Sequence, residues 1–165
     1  MTSIQYDEVY SRFYTKVEAF DFLYESMTQE MMAEYLLTWL HSAISYPHIR
    51  KLFKELTVDD ENATLSFELN YSIDEFSDTE FVVEVLACGI VYCWIEPKVK
   101  SITNIYQNFT SSEQKFYSQS NHLSELQELC ANADGRIRSL IRDRSFLYNT
   151  YLDGKSAATF IRSST

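Results

Sequence analysis

Glycine and proline are scarce in this 165-residue chain, at three and two. Sandwiches and barrels take many tight turns from those residues, so the shortage favours a few long helices. It also excludes a glycine-rich loop that cradles phosphate. Cysteine is equally sparse. Cys88, Cys93 and Cys130 are odd in number and form no Cys-x-x-Cys pair, which argues against a disulfide framework or a zinc site. Cys88 and Cys93 lie in an apolar run and are expected to behave as small buried hydrophobes. The longest such run, 85–95, is too short to span a bilayer. The polar, acidic start carries no secretory pattern, so the sequons at Asn62, Asn70 and Asn108 are expected to be chance matches.

Positive charge is missing from one long stretch. Between Thr57 and Glu96 there are ten acidic residues and no Lys or Arg. Before it stand eight acidic and five basic residues, and after it six acidic and nine basic, for a net charge of −10. An acidic middle repels a phosphate backbone, which excludes a general nucleic-acid binder. A solvated acidic surface is the plainer reading. A patch that docks on a basic partner is the sharper one.

What is present is ordinary for one globular domain: 45% hydrophobic and 23% charged residues. Tyr and Phe are abundant, at 12 and 11, and suit cores and interfaces alike.

Periodicity fills in the elements. Val9, Phe13 and Val17 predict a helix from about Gln5 to Val17. Ala19 to Tyr24 is apolar enough to enter the core. A start signal at Ser26 or Thr28 opens a second helix, with Met31, Met32, Tyr35, Leu36, Trp39, Leu40, Ala43 and Ile44 on one stripe. It should stop near Ser45, because Pro47 disfavours a helical Tyr46. Residues 49–56 suggest one or two helical turns, and 59–62 a turn. Residues 64–71 alternate, with Leu65, Phe67, Leu69 and Tyr71 on one side. That predicts a strand whose partner is a weak second strand or another subunit. Ser77 and Glu80 form a capping box before a helix over 78–95, which is apolar on nearly all sides and therefore central. Gly89 inside it suggests a close helix crossing, and Pro97 its end. Residues 99–109 read as a short helix or loop. A long helix follows over 118–148, with Gly135 as a point where it could bend or split. The fold class is mainly α: a compact helical bundle over 1–152, then a C-terminal arm, 153–165.

Chemistry is hard to find. There is no HExxH, Gly-x-Ser-x-Gly, Walker or Rossmann pattern. His41 reads as a boundary residue, His48 as a helix-end residue, and His122 as a local partner of Glu125. Asp59, Asp60, Glu61 and Asn62 lack calcium-loop spacing. Asp74, Glu75 and Asp78 fall where negative charge favours a helix start. No catalytic, cofactor-binding or metal-binding residue is assigned, and an enzyme is not expected. Arg136, Arg138, Arg142 and Arg144 form the one basic cluster. A solvated face is its plainest reading, a surface for a neighbour's acidic stretch the next, and nucleic-acid contact the weakest.

Three segments resemble a family of small virion proteins from the structural-gene modules of tailed bacteriophages. Phe13, Phe20-Asp21-Phe22-Leu23 and Leu40-His41-Ser42-Ala43-Ile44 are similar to its opening. Tyr92-Cys93-Trp94-Ile95-Glu96-Pro97-Lys98 is similar to its aromatic-aliphatic-x-Pro stop. Lys115-Phe116-Tyr117-Ser118-Gln119-Ser120-Asn121-His122-Leu123 resembles the Tyr-Ser-x-Ala-Asn-His-Leu signature opening its last helix, with Ser120 in place of the alanine. The resemblance covers most of residues 6–150. It implies a head–tail connector subunit, a ring of own copies beneath the portal that touches other neck or tail proteins and passes DNA, with no membrane and no cofactor. The chain would then reside in the virion neck after assembly in the host cytoplasm. Alternatives are another tail or baseplate-proximal component, or a helical adaptor outside virions. Candidate contacts are Leu65, Phe67, Leu69, Tyr71, Asp74, Glu75, Asp78, the four arginines, Phe160 and Ile161.

Overall fold

A computed structural model describes residues 1–18, 27–108 and 113–147, with side chains described for 1–18, 27–100 and 124–145. Ala19–Tyr24, His122 and the arm with Phe160 and Ile161 lie outside these limits. The elements run β1 (Thr2–Gln5), α1 (Tyr6–Val17), α2 (Gln29–Ser45), α3 (Pro47–Arg50), β2 (Phe53–Asp59), β3 (Thr64–Leu69), α4 (Glu75–Asn108) and α5 (Glu113–Leu147). The fold is mainly α with one small antiparallel sheet.

Local signals explain the helix ends. In α1, Glu8 accepts a hydrogen bond from the Gln5 N–H at 3.2 Å. Val9, Phe13 and Val17 are buried on one face, as their spacing requires. The Thr28 hydroxyl accepts from the Met31 N–H and caps α2. Tyr46 is extended, with ψ 124°, and ends α2, while Pro47 opens α3, where its missing N–H has no helical partner to lose.

The expected helical turns at 49–56 are only half right. α3 stops at Arg50, and β2 takes over at Phe53. A register shift between Phe53 and Glu55 breaks the alternation there. Leu52 and Phe53 are both buried, and Lys54 and Glu55 both exposed, which imitates a helical period. The predicted strand is β3, the centre of the order β1-β3-β2. Ile4 pairs with Leu65, and Leu56 with Phe67. Both partners of β3 therefore come from its own chain.

Three further corrections concern α4 and α5. The cap of α4 is Asp74, whose carboxylate accepts from the Ser77 N–H at 2.9 Å; Ser77 lies in the first turn. Pro97 sits inside α4 and does not end it. It forgoes one backbone hydrogen bond, but Val99 just beyond it still packs against the core and α4 packs on α5, and such tertiary packing overrides the local penalty. Gly135 does not split α5, which runs unbroken from Glu113 to Leu147.

The core gathers at α4. Val82 to Ile95 face α1, α2, the sheet and α5 in turn, and Trp94 meets Phe13 edge-on at 5.8 Å. Gly89 makes the expected close crossing: an added β-carbon would stand 2.8 Å from the Ala43 Cβ and 2.8 Å from the Ile49 Cδ1. α5 returns antiparallel to α4. Asp78 pairs with Arg144 and Glu84 with Arg136, and both pairs are symmetric about residues 110–111. Each helix is about 50 Å long at 1.5 Å per residue.

Candidate functional site

The alternation of β3 turns Leu65, Phe67 and Leu69 inward, where they are 1%, 1% and 6% exposed. Phe67 meets Phe53 at 6.0 Å between ring centroids. These three residues belong to the subunit's own core and are withdrawn as contacts between subunits. Tyr71, two residues on, is exposed.

The predicted acidic and basic groups also meet inside the chain. Arg144 is buried in the last turns of α5 and forms an ion pair with Asp78 in the first turn of α4. Its guanidinium donates to the Tyr71 carbonyl at 3.1 and 3.2 Å and to the Ser77 carbonyl at 3.4 Å. It lies 4.5 Å from the Phe81 ring centroid. Asp78 also accepts from the Ile73 N–H at 3.0 Å and the Ser72 hydroxyl at 2.6 Å. The pair is therefore hydrogen-bonded on both sides, as a buried pair must be. It locks the 70–74 loop to α5, so Asp78 and Arg144 are corrected from surface contacts to internal ones.

Around Glu84 three cations converge: Lys16 at 2.7 Å, Arg12 at 3.5 Å and Arg136 at 3.7 Å. Partial burial pushes this carboxyl up, but the cations outweigh that and hold it below the usual range. Arg138 pairs with Asp134 at 2.8 Å, and Arg142 with its neighbour Asp143 at 3.2 Å. Glu68 pairs with Lys54, and Glu96 with Lys100. The acidic middle of the sequence is thus not one acidic surface. Folding distributes it against cations from both flanks.

The turn joining β2 to β3 is held similarly. The Tyr6 hydroxyl donates to Asp60 at 2.7 Å, and His41 Nε2 lies 3.1 Å from the same oxygen. These two bonds lower the Asp60 carboxyl, and burial together with the Asp60 bond raises the Tyr6 phenol. His41 is thus a boundary residue with a local partner.

Other surface features stand out among the described residues. A groove of about 570 Å³ between α1 and α2 is lined by Tyr10, Tyr14, Met27, Met32 and Leu36 among others. A smaller cavity of about 160 Å³ lies among α3, β3, α4 and α5, next to Arg144. Beside its Tyr71 wall, Ile73 and Phe76 stand exposed, at 46% and 76%. Periodicity does not single out these two residues. Their signal was their isolation as large apolar side chains among the polar residues 72–77. Asp74 and Glu75 are exposed on the same stretch, and the Ser77 bonds that make Asp74 a cap also lower its pKa.

Among the described residues, no group of three or more His, Cys, Asp or Glu side chains could hold a metal ion. Among them too, no helix is long and apolar enough to cross a membrane. Comparison with protein-family models, curated proteins and solved structures finds no match to this chain.

Proposed function

We propose that the chain is a structural subunit of a tailed-phage head–tail connector, acting by binding rather than by catalysis. The observation that carries this reading is the 115–123 segment, which resembles the signature opening that family's last helix and falls here in the opening turns of α5. The hairpin of α4 and α5 is consistent with such a role. It is about 50 Å long, which would give neighbouring copies an extended helical surface to pack against. Among the described residues, exposed Ile73, Asp74, Glu75 and Phe76, with Arg138 and Arg142, would be available for contacts around a ring.

One observation favours a helical adaptor outside virions. Leu65, Phe67, Leu69, Asp78 and Arg144 are all satisfied within one subunit, as in a self-sufficient monomer. Quantitative mass spectrometry of particles purified from the native source separates the two readings. The connector reading predicts several copies per particle, in fixed ratio to the portal protein. Its absence from particles, with the free protein abundant in the cell, favours the adaptor.

A further inference from the structure

We infer that Phe76 of one copy of this chain seats in the cavity beside Arg144 of a second copy. The inference does not rest on the connector reading, since copies would join this way inside a virion or outside one. Phe76 is 76% exposed, and Tyr71 and Ile73 close by are 45% and 46% exposed. A single exposed apolar residue is ordinary, but a group of them along residues 71–76 makes a patch. Phe76 stands outside the cavity of its own chain. Phe81 supplies a wall of that cavity from α4, and five residues of helix turn Phe76 about 140° away from it. A second copy meets no such constraint. The cavity measures about 160 Å³. An apolar cavity of roughly 150 Å³ takes one benzene-sized ring. Leu52, Leu69 and Ile141 add apolar walls to that of Phe81.

Charge selects a second copy as the occupant. Lys51 and His48 stand at the cavity with polar heads, and Asp74 and Glu75 directly precede Phe76. Among the described residues, the side-chain charges of Lys51 and Glu75 have no partner, and both residues are exposed. Seating Phe76 brings Glu75 to the next copy's Lys51, so opposite charges meet at the rim of an apolar contact. A lone aromatic ligand would leave both charges unpaired. Because Phe76 and the cavity face different ways, the contact is head-to-tail. A pair of copies then keeps one free ring and one free cavity, the kind of contact that closes into rings when the rotation permits.

Sedimentation of the full chain over a range of concentrations tests this. The wild type should self-associate. Phe76→Ser should weaken association about tenfold or more, with its melting temperature unchanged because the side chain lies outside the core. Ser145→Trp, which sets a bulky ring at the cavity from an exposed position of α5, should do the same. Mixed, these two variants should form one-to-one pairs and nothing larger, since one supplies the cavity and the other the ring. Glu75→Lys and Lys51→Glu should each weaken association, and the double variant should recover it. A wild type that stays monomeric, variants that associate like the wild type, or a mixture that does not pair would overturn the proposal. So would a small molecule, or a segment of the same chain, found in the cavity by nuclear Overhauser contacts to the Leu69 and Ile141 methyls. All of this is read on the isolated chain, so it fails or stands separately from the presence of the protein in virions.

Discussion

Arg144 and Asp78 form a buried ion pair that ties the end of α5 to the start of α4. Removing one partner leaves the other charge buried and uncompensated, at about 3–5 kcal/mol. Asp78→Ala is therefore expected to lose that much stability in urea unfolding. Replacing both, as Asp78→Leu with Arg144→Met, should lose much less, because no unpaired charge remains. Equal losses in the single and double variants would contradict the assignment.

Gly89 and Gly135 are both helical, and alanine should affect them in opposite directions. At Gly89 the new methyl meets Ala43, whose short side chain cannot turn away, and the Ile49 terminus. The overpacking costs about 1–3 kcal/mol, against roughly 1 kcal/mol of gained helix propensity. At Gly135 nothing lies within 4 Å, so only the propensity gain remains. Gly89→Ala should lower the melting temperature and Gly135→Ala should raise it by about 2–4 °C.

Thiol reactivity should follow burial. Burial is the main cause that pushes the Cys88 and Cys93 thiols up to about 11. Cys130 is raised for the same main reason, with less burial. The thiolate is the nucleophile, so at pH 8 all three should alkylate more slowly than a free cysteine. Cys88, nearly inaccessible, should label only on unfolding. Peptide mapping after iodoacetamide checks the order; rapid native labelling of Cys88 would refute it.

Acid should weaken the junction of α1, α4 and α5 through Glu84. Its folded pKa is depressed, so its contribution is present above the ordinary carboxylate value. It is lost as pH falls through the lowered folded value. Below about pH 5, near that ordinary range, the melting temperature of Glu84→Gln should fall less steeply with pH than that of the wild type. Parallel slopes would show that Glu84 contributes nothing to the acid response.

Ala63 stands in the turn between β2 and β3 with φ 51°, a left-handed conformation that a β-carbon disfavours. Ala63→Gly removes that strain but adds entropy to the unfolded chain. The net expectation is a gain of up to about 1 kcal/mol, read as a higher urea midpoint.

Much of the helical order was legible because single faces carried it. Val9, Phe13 and Val17 fixed α1, and Pro47 placed the end of α2. β2 was hidden because the register shift at Phe53/Glu55 puts like residues side by side at 52–55, which leaves only Leu56 and Val58 to show a period of two. The extent of α4 was misjudged because Pro97 is a strong local signal that long-range packing overrides. The charged residues were read as surfaces because sequence shows composition and not partners. Arg144 lies 66 residues from Asp78, and nothing local announces their meeting. Ile73 and Phe76 were visible, but their exposure depends on the loop that Asp78 holds.

The most direct test of the connector reading is electron microscopy of complexes recovered from the native source through an N-terminal tag. The account predicts rings, or neck-bearing particles with this protein between head and tail, and the α4–α5 hairpin in contact with neighbouring copies. Recovery of the protein alone, or on partners that are not viral, would contradict it.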